Sequence, residues 1–198
     1  MASTSEEIEK QWLSALREGD ESALRHIFDQ HYPLLVRDVY RLIQDTDTCK
    51  DLAQEVFVEL WKKREVLTIH SALRPYLRRA AVNKALNHIK TQKKISFEEP
   101  ENWVFNADDT PQILEEQTSK ERIEQALHEA IDSLPEKCRI VFNLSRFEQM
   151  SHKEISESLG ISVKTIENQI TKAFKILRGI MSQYNHLSSI GILYLFLT

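Results

Sequence analysis

Glycine, proline and cysteine are scarce in this sequence. Its 198 residues include only four glycines and five prolines, so few positions carry the residues that most often interrupt helices. The two cysteines, Cys49 and Cys138, lie far apart and lack the spacing of a metal site. Free buried thiols in a reducing cytoplasm are therefore the simplest interpretation. Together, the scarce glycine and proline and the long helical patterns predict an all-α fold.

The ends of the sequence offer no membrane-spanning segment. The N-terminal letters MASTSEEIEK are acidic and lack the basic and apolar regions of a signal peptide, which favours a cytoplasmic protein. The last residues, 188–198, read SSIGILYLFLT and are strongly apolar. This tail is too short to span a bilayer as a helix. It could pack against its own domain, a partner or a second copy, and packing within the chain is the simplest expectation.

Acidic residues are missing from two segments, although the net charge of the chain is −4. The segments run from Val66 to Phe97 and from Asn168 to the C-terminus. They suggest two contact zones for a polyanion, with solvated charge runs as the alternative. Their lysines and arginines are Arg74, Arg78, Arg79, Lys84, Lys90, Lys93, Lys94, Lys172, Lys175 and Arg178.

Helical patterns divide the chain into two small domains joined by an acidic linker. We expect the first domain at residues 1–94, the linker at 95–118, the second domain at 119–187 and the tail at 188–198. In the first domain, one helix ends at Gly19, and Asp20 caps the next. The predicted later helices are Tyr32–Ile43 after a junction at His31–Pro33, Thr46–Arg64, Tyr76–Lys90, Lys120–Asp132 and Pro135–Arg146.

Ser151–Arg178 has the pattern of two short helices joined by a tight turn. Ser151 and Glu154 form a capping box at the start of the first helix. Gly160 can take the left-handed conformation that ends it, and Ser162 can cap the second helix. The predicted buried side of the second helix consists of Val163, Ile166, Ile170, Ala173, Phe174 and Leu177.

The opposite side of this second helix is polar, as suits a helix in the major groove of DNA. A helical hairpin with a merely solvated polar face is the alternative. The predicted DNA-binding side chains are Lys164, Thr165, Glu167, Asn168, Gln169, Thr171, Lys172 and Lys175.

Asp51–Trp61, with the letters DLAQEVFVELW, is an amphipathic helix with carboxylates on its polar side. It contains no HExxH motif or Glu-x-x-His pair, so we expect no metal site and no catalytic carboxylate here. The segment resembles the DLVQETFLRVW helix of sigma factors of bacterial RNA polymerase, in the extracytoplasmic-function (ECF) group. Pro75–Asn87 is similar to the WLxRIARNxAID helix of that group. Leu134–Phe142 and Ser151–Arg178 resemble its second domain, LPExxRxVFxLxxxxGxSyxEIAexLgiSxgTVksrl.

The resemblance covers roughly residues 20–90 and 120–180 and implies a non-enzymatic initiation factor without a cofactor. It implies that Asp51, Gln54, Glu55 and Glu59 contact the basic coiled coil of the largest polymerase subunit. The side chains implied to meet the −10 promoter element are Arg78, Arg79, Asn83, Lys84, Asn87 and Lys90. The polar side of the second helix in Ser151–Arg178 would then contact the −35 element.

The resemblance also bears on a protein partner and on the role of Glu167. Sigma factors of this group are usually held inactive by a membrane-bound anti-sigma protein, so the resemblance implies that partner as well. Glu167 stands where the family often has arginine, and a carboxylate there would prefer a cytosine amino group. One alternative is a stand-alone helix-turn-helix regulator with a helical sensory or dimerising N-terminal half. Another is a helical adaptor that does not bind nucleic acid.

Overall fold

Helices are the regular secondary structure of this protein wherever the structure describes it. A computed structural model describes residues 2–67, 69, 72–92 and 119–181, and no strand occurs within these ranges. The predicted all-α class is therefore confirmed. In chain order the helices are α1 (Ala2–Arg17), α2 (Glu21–Tyr40), α3 (Thr46–Lys62), α4 (Leu73–Thr91), α5 (Ser119–Asp132), α6 (Glu136–Arg146), α7 (His152–Leu159) and α8 (Val163–Met181).

The chain divides into two units, Met1–Gln92 and Lys93–Thr198. The first contains α1 to α4 and the second contains α5 to α8. The predicted linker and tail, at residues 95–118 and 188–198, lie outside the described residues. Residues 68, 70 and 71, between α3 and α4, also lie outside the described residues.

Helix α2 is the centre of the first unit, because it packs against α1, α3 and α4. Helices α3 and α4 also pack against each other, which closes the core on the remaining side. Removing this apolar surface from water is the main favourable contribution to folding. The core side chains, each no more than 2% exposed, include Ile27, Leu35, Val39, Ala53, Val56, Leu60, Leu77, Ala81 and Ala85.

The predicted break at His31–Pro33 is wrong, because α2 continues through Pro33 without interruption. Proline lacks the backbone N–H of a helix interior and costs about 3 kcal/mol there. Pro33 lies on the exposed side of the helix, while Ile27 and Leu35 on either side of it are completely buried. Burial of α2 against three neighbouring helices offsets the local penalty, so tertiary packing overrides the breaker signal.

Charged and titratable side chains lie where the helices of the first unit pack against one another. Asp38 on α2 is 2% exposed and forms an ion pair with Arg74 on α4. Arg41 lies 3.7 Å from the same carboxylate. His31 is also buried, with its Nε2 atom 3.9 Å from Glu9 on α1. Burial lowers the pKa of His31, and the Glu9 carboxylate only partly opposes that shift.

Helix α8 is the centre of the second unit, because it packs against α5, α6 and α7. Its buried residues interlock with those of α5 and α6 in one apolar cluster. Phe142 and Phe174 meet edge to face there, with ring centroids 5.7 Å apart. The members of the cluster are Leu127, Ala130, Ile131, Leu134, Cys138, Phe142, Ala173, Ile176, Leu177 and Ile180.

The predicted helix-turn-helix is confirmed at α7 and α8. Ser151 and Glu154 form the capping box, and the Glu154 carboxylate accepts from the Ser151 amide at 2.8 Å. Gly160 ends α7 with φ 70°. The Ser162 hydroxyl then accepts from the Thr165 amide at 3.0 Å and caps α8. A further bond, from the Ser156 hydroxyl to the Ile161 carbonyl at 2.6 Å, closes the turn.

Candidate protein and nucleic-acid interfaces

Helix α3 presents an acidic face to solvent. Leu52, Val56 and Leu60 are buried on its inner side, so the helical repeat turns the polar positions outward. Asp51 and Gln54 are exposed, as are Glu55 and Glu59 with exposures of 58% and 49%. These four residues, which we call the α3 acidic face, are those predicted to bind core polymerase. Val58 lies among them with 50% exposure and adds an apolar contact surface.

Lys84 of α4 lies between two carboxylates of the α3 acidic face. Its Nζ atom is 2.9 Å from Oε2 of Glu55 and 2.6 Å from Oε1 of Glu59. The hydrogen bond from Lys84 holds the pKa of Glu59 below its usual value. Burial alone would lower the pKa of Lys84, but its bonds to Glu59 and Glu55 raise it overall.

This position changes the interpretation of Lys84. The sequence predicts that it meets the −10 element, yet its side chain is only 17% exposed and is directed to α3. A lysine already engaged with two carboxylates is a poor neutraliser of DNA phosphate in the free protein. The structure therefore groups Lys84 with the predicted polymerase-binding residues.

The remaining predicted −10 residues on α4 divide into two groups. Arg79, Asn83, Asn87 and Lys90 are all exposed and follow one another at intervals of four, four and three residues. That spacing places them along one side of the helix. Arg78 is half-buried and lies outside this line. The four exposed residues, here called the α4 polar line, combine two cations with two amides able to contact bases.

Helix α8 presents a mixed polar surface. Lys164 and Glu167 form an ion pair of 3.6 Å at its beginning. Thr165 is half-buried and its hydroxyl is 2.8 Å from the Ser162 hydroxyl. The Thr171 hydroxyl donates to the Glu167 carbonyl at 2.7 Å. Of the predicted DNA-binding side chains, Lys164, Glu167, Asn168, Thr171 and Lys175 are exposed and Lys172 is half-buried.

Gln169 is directed to the inside of the second unit, in disagreement with its predicted place on the DNA-binding side. Its Oε1 atom accepts a bond from the buried Cys138 thiol on α6, with an Sγ–O distance of 2.9 Å. Residue 169 is three after the buried Ile166 and four before the buried Ala173, which puts it on the packed side of α8. The helical spacing indicates a packed position for residue 169, but the prediction gave more weight to its polar side chain.

For Val163 the difference is the reverse, because a side chain predicted to be buried is exposed. The apolar stripe placed it in the core, but it is 41% exposed as the first residue of α8. The packed side of α8 begins one turn later, at the fully buried Ile166. Val163 thus lies beside Lys164 at the exposed beginning of the helix.

Other classes of site find no support within the described residues. Cys49 and Cys138 are buried thiols there, as predicted, and neither is in a disulfide. Burial raises the pKa of the Cys49 thiol to about 11, so it stays protonated at neutral pH. In the described ranges, no group of three or more His, Cys, Asp or Glu residues could hold a metal ion. None of the described helices combines the length and apolar character needed to cross a membrane.

Each of the two units matches a protein-family model. The model "Sigma-70 region 2" matches residues 27–95, and "Sigma-70, region 4" matches residues 124–177. Together they span more than half of the 198 residues. The chain belongs to the sigma-70 family of RNA polymerase sigma factors.

Relatives of this sigma factor include members of the ECF group. RNA polymerase sigma-H factor of Pseudomonas aeruginosa is 24% identical over 177 residues, covering 85% of this chain and 91% of that protein. ECF RNA polymerase sigma-E factor of Haemophilus influenzae is 26% identical over 177 residues, covering 84% and 92%. ECF RNA polymerase sigma factor SigW of Bacillus subtilis is 23% identical over 176 residues, covering 85% and 94%. The predicted ECF resemblance is confirmed.

These findings decide between the functional alternatives. The protein is a sigma factor that binds core RNA polymerase and directs it to promoters, and it is not itself an enzyme. A stand-alone regulator would share only the helix-turn-helix, whereas here most of α2 and all of α3 and α4 lie within the region 2 match as well. The adaptor without nucleic acid fails for the same reason.

Proposed function

We propose that the α3 acidic face is the surface by which this sigma factor binds core polymerase. Asp51, Glu55 and Glu59 are exposed on one side of a helix within the region 2 match. Opposite charge steers such a face towards the basic coiled coil of the largest polymerase subunit and sets its register. The exposed Val58 lies within the same face. The clustering of these carboxylates on a single exposed face is the observation that carries the proposal.

The promoter contacts are assigned to the other two surfaces. The α4 polar line meets the −10 element, where Arg79 and Lys90 neutralise phosphates and Asn83 and Asn87 contact bases. Helix α8 enters the major groove of the −35 element. Its exposed residues there are Lys164, Glu167, Asn168, Thr171 and Lys175, with the half-buried Lys172 beside them.

The domain boundaries and the cellular setting belong to the same proposal. We place the region 2-like domain at 1–94, the acidic linker at 95–118, the region 4-like domain at 119–187 and the apolar tail at 188–198. The protein acts in the cytoplasm, where RNA polymerase is found. Membership of the ECF group supports a membrane-bound anti-sigma protein as the partner that holds the free protein inactive.

A double charge reversal tests the polymerase-binding surface. The change is Asp51→Lys with Glu55→Lys, and we expect core polymerase to bind at least about tenfold more weakly because attraction becomes repulsion. Co-purification and biolayer interferometry with core polymerase measure the effect, and circular dichroism checks the fold.

The matched control for this test reverses two other exposed acids in the same unit. Glu7 on α1 and Asp29 on α2 are exposed and lie outside the proposed interfaces. Glu7→Lys with Asp29→Lys makes the same change in net charge. Equal loss of binding in both double variants would mean that net charge, rather than the α3 acidic face, determines docking.

A further inference from the structure

Among the described lysines, only Lys84 forms an ion pair that links α4 to the α3 acidic face. It pairs with two carboxylates at once. Its Nζ lies within 2.9 Å of Glu55 and 2.6 Å of Glu59. Neither carboxylate is buried by the pairing, since they remain 58% and 49% exposed. A cation from outside can therefore reach the same two groups that Lys84 already contacts.

We propose that Lys84 is an internal competitor that limits how tightly the α3 acidic face binds the basic surface of core polymerase. The inference rests on the proposed function of that face. The ammonium group partly neutralises Glu55 and Glu59, and a docking arginine or lysine has to share these carboxylates with it.

The geometry favours competition over assistance. The Lys84 side chain is only 17% exposed and its ammonium group already bonds both carboxylates, so it offers little surface for a contact of its own with polymerase. Its pairing does order the two glutamates, which would assist binding if ordering were the larger effect. Because Glu59 also has Lys63 at 3.8 Å, the glutamate does not depend on Lys84 alone for its orientation.

The test is the rate of association with core polymerase. Lys84→Gln keeps a hydrogen-bond donor, on a side chain one bond shorter, but removes the charge. We expect association about threefold to tenfold faster at low salt, with the gain shrinking as added salt screens the charges. Lys84→Arg keeps the charge and should behave like the unaltered protein. Faster association of the arginine variant, or unchanged or slower association of the glutamine variant, would overturn the proposal.

Two controls separate competition at these carboxylates from a general charge effect. Lys10→Gln removes an exposed lysine from α1 and should leave the association rate unchanged. In a Glu55→Gln, Glu59→Gln background, Lys84→Gln should bring no further gain, because no carboxylates remain for which to compete. The same gain in both backgrounds would show that Lys84 acts at long range and would overturn the proposed competition.

The test of the proposed function remains distinct from this one. If reversal of Asp51 and Glu55 leaves binding intact, the docking face is wrong and the role of Lys84 is overturned with it. If that reversal weakens binding while Lys84→Gln brings no gain, the docking face stands and only the role of Lys84 is overturned.

Discussion

Asn168 and Gln169 are neighbours on α8 with different surroundings. Asn168 is exposed, whereas Gln169 is half-buried and accepts a hydrogen bond from the Cys138 thiol. An amide directed to solvent can make the bidentate contact that distinguishes adenine from other bases. An amide satisfied within the domain contributes to stability instead. We therefore expect separable roles for these two adjacent residues of similar chemistry.

Single alanine variants at these positions test this separation. Asn168→Ala should lower transcription in a base-specific manner, losing about 1–3 kcal/mol of discrimination at one position of the −35 element. Gln169→Ala should lower the free energy of unfolding by about 1 kcal/mol and leave the promoter preference unchanged. In vitro transcription over a promoter pool and chemical denaturation measure the two effects. A changed promoter preference in the Gln169 variant, without loss of stability, would contradict the assignment.

The short helix α7 depends on its ends more than the longer helices do. It runs for eight residues, from His152 to Leu159, and only Ile155 among them is fully buried. Isolated helices of this length are unstable in water. The capping box at Ser151 and Glu154 and the left-handed Gly160 therefore define where α7 begins and ends. Since α7 packs against α8, these local signals also support α8, the helix proposed to bind DNA.

Removal of the N-cap hydroxyl tests this dependence. Ser151→Ala should cost about 1 kcal/mol, which corresponds to about fivefold lower protection of the first-turn amides of α7 from hydrogen exchange. Hydrogen-exchange mass spectrometry of the full chain measures this change. Ser158→Ala, in the last turn of the same helix, is the matched control and should leave those amides unaffected. Equal protection in the Ser151 variant would show that packing against α8 alone maintains α7.

Two separate cores underlie the organisation of the whole molecule. The first unit has its core between α2, α3 and α4, and the second has its own around α8. The family models also match each unit separately, at residues 27–95 and 124–177. A core enclosed within one unit is what allows a domain to fold by itself.

A fragment of residues 1–94 tests this independence. We expect it to unfold cooperatively and to bind core polymerase, because both the first core and the α3 acidic face lie within it. Thermal unfolding followed by circular dichroism and co-purification with core polymerase measure the two properties. The same fragment with Asp51→Lys and Glu55→Lys should fold but not bind. A fragment that lacks a cooperative transition would contradict the domain boundary at residue 94.

The sequence by itself determined the all-α class, the two-domain organisation of the family and most helix ends. The caps at Asp20, Ser151 and Gly160 act over two to four residues, and such signals are complete within a short stretch of sequence. The exposure of most proposed site residues was predictable in the same way, because helical spacing separates a buried side from a solvent side.

Only the tertiary structure decided which polar side chains meet across helices. Lys84 pairs with Glu55 and Glu59 over separations of 29 and 25 residues, and Gln169 meets Cys138 over 31. Likewise, α2 continues through Pro33 because it is buried against three neighbouring helices. The physical reason is common to all three: helix periodicity places a side chain on a face, but its partner is determined by the helix that packs beside it.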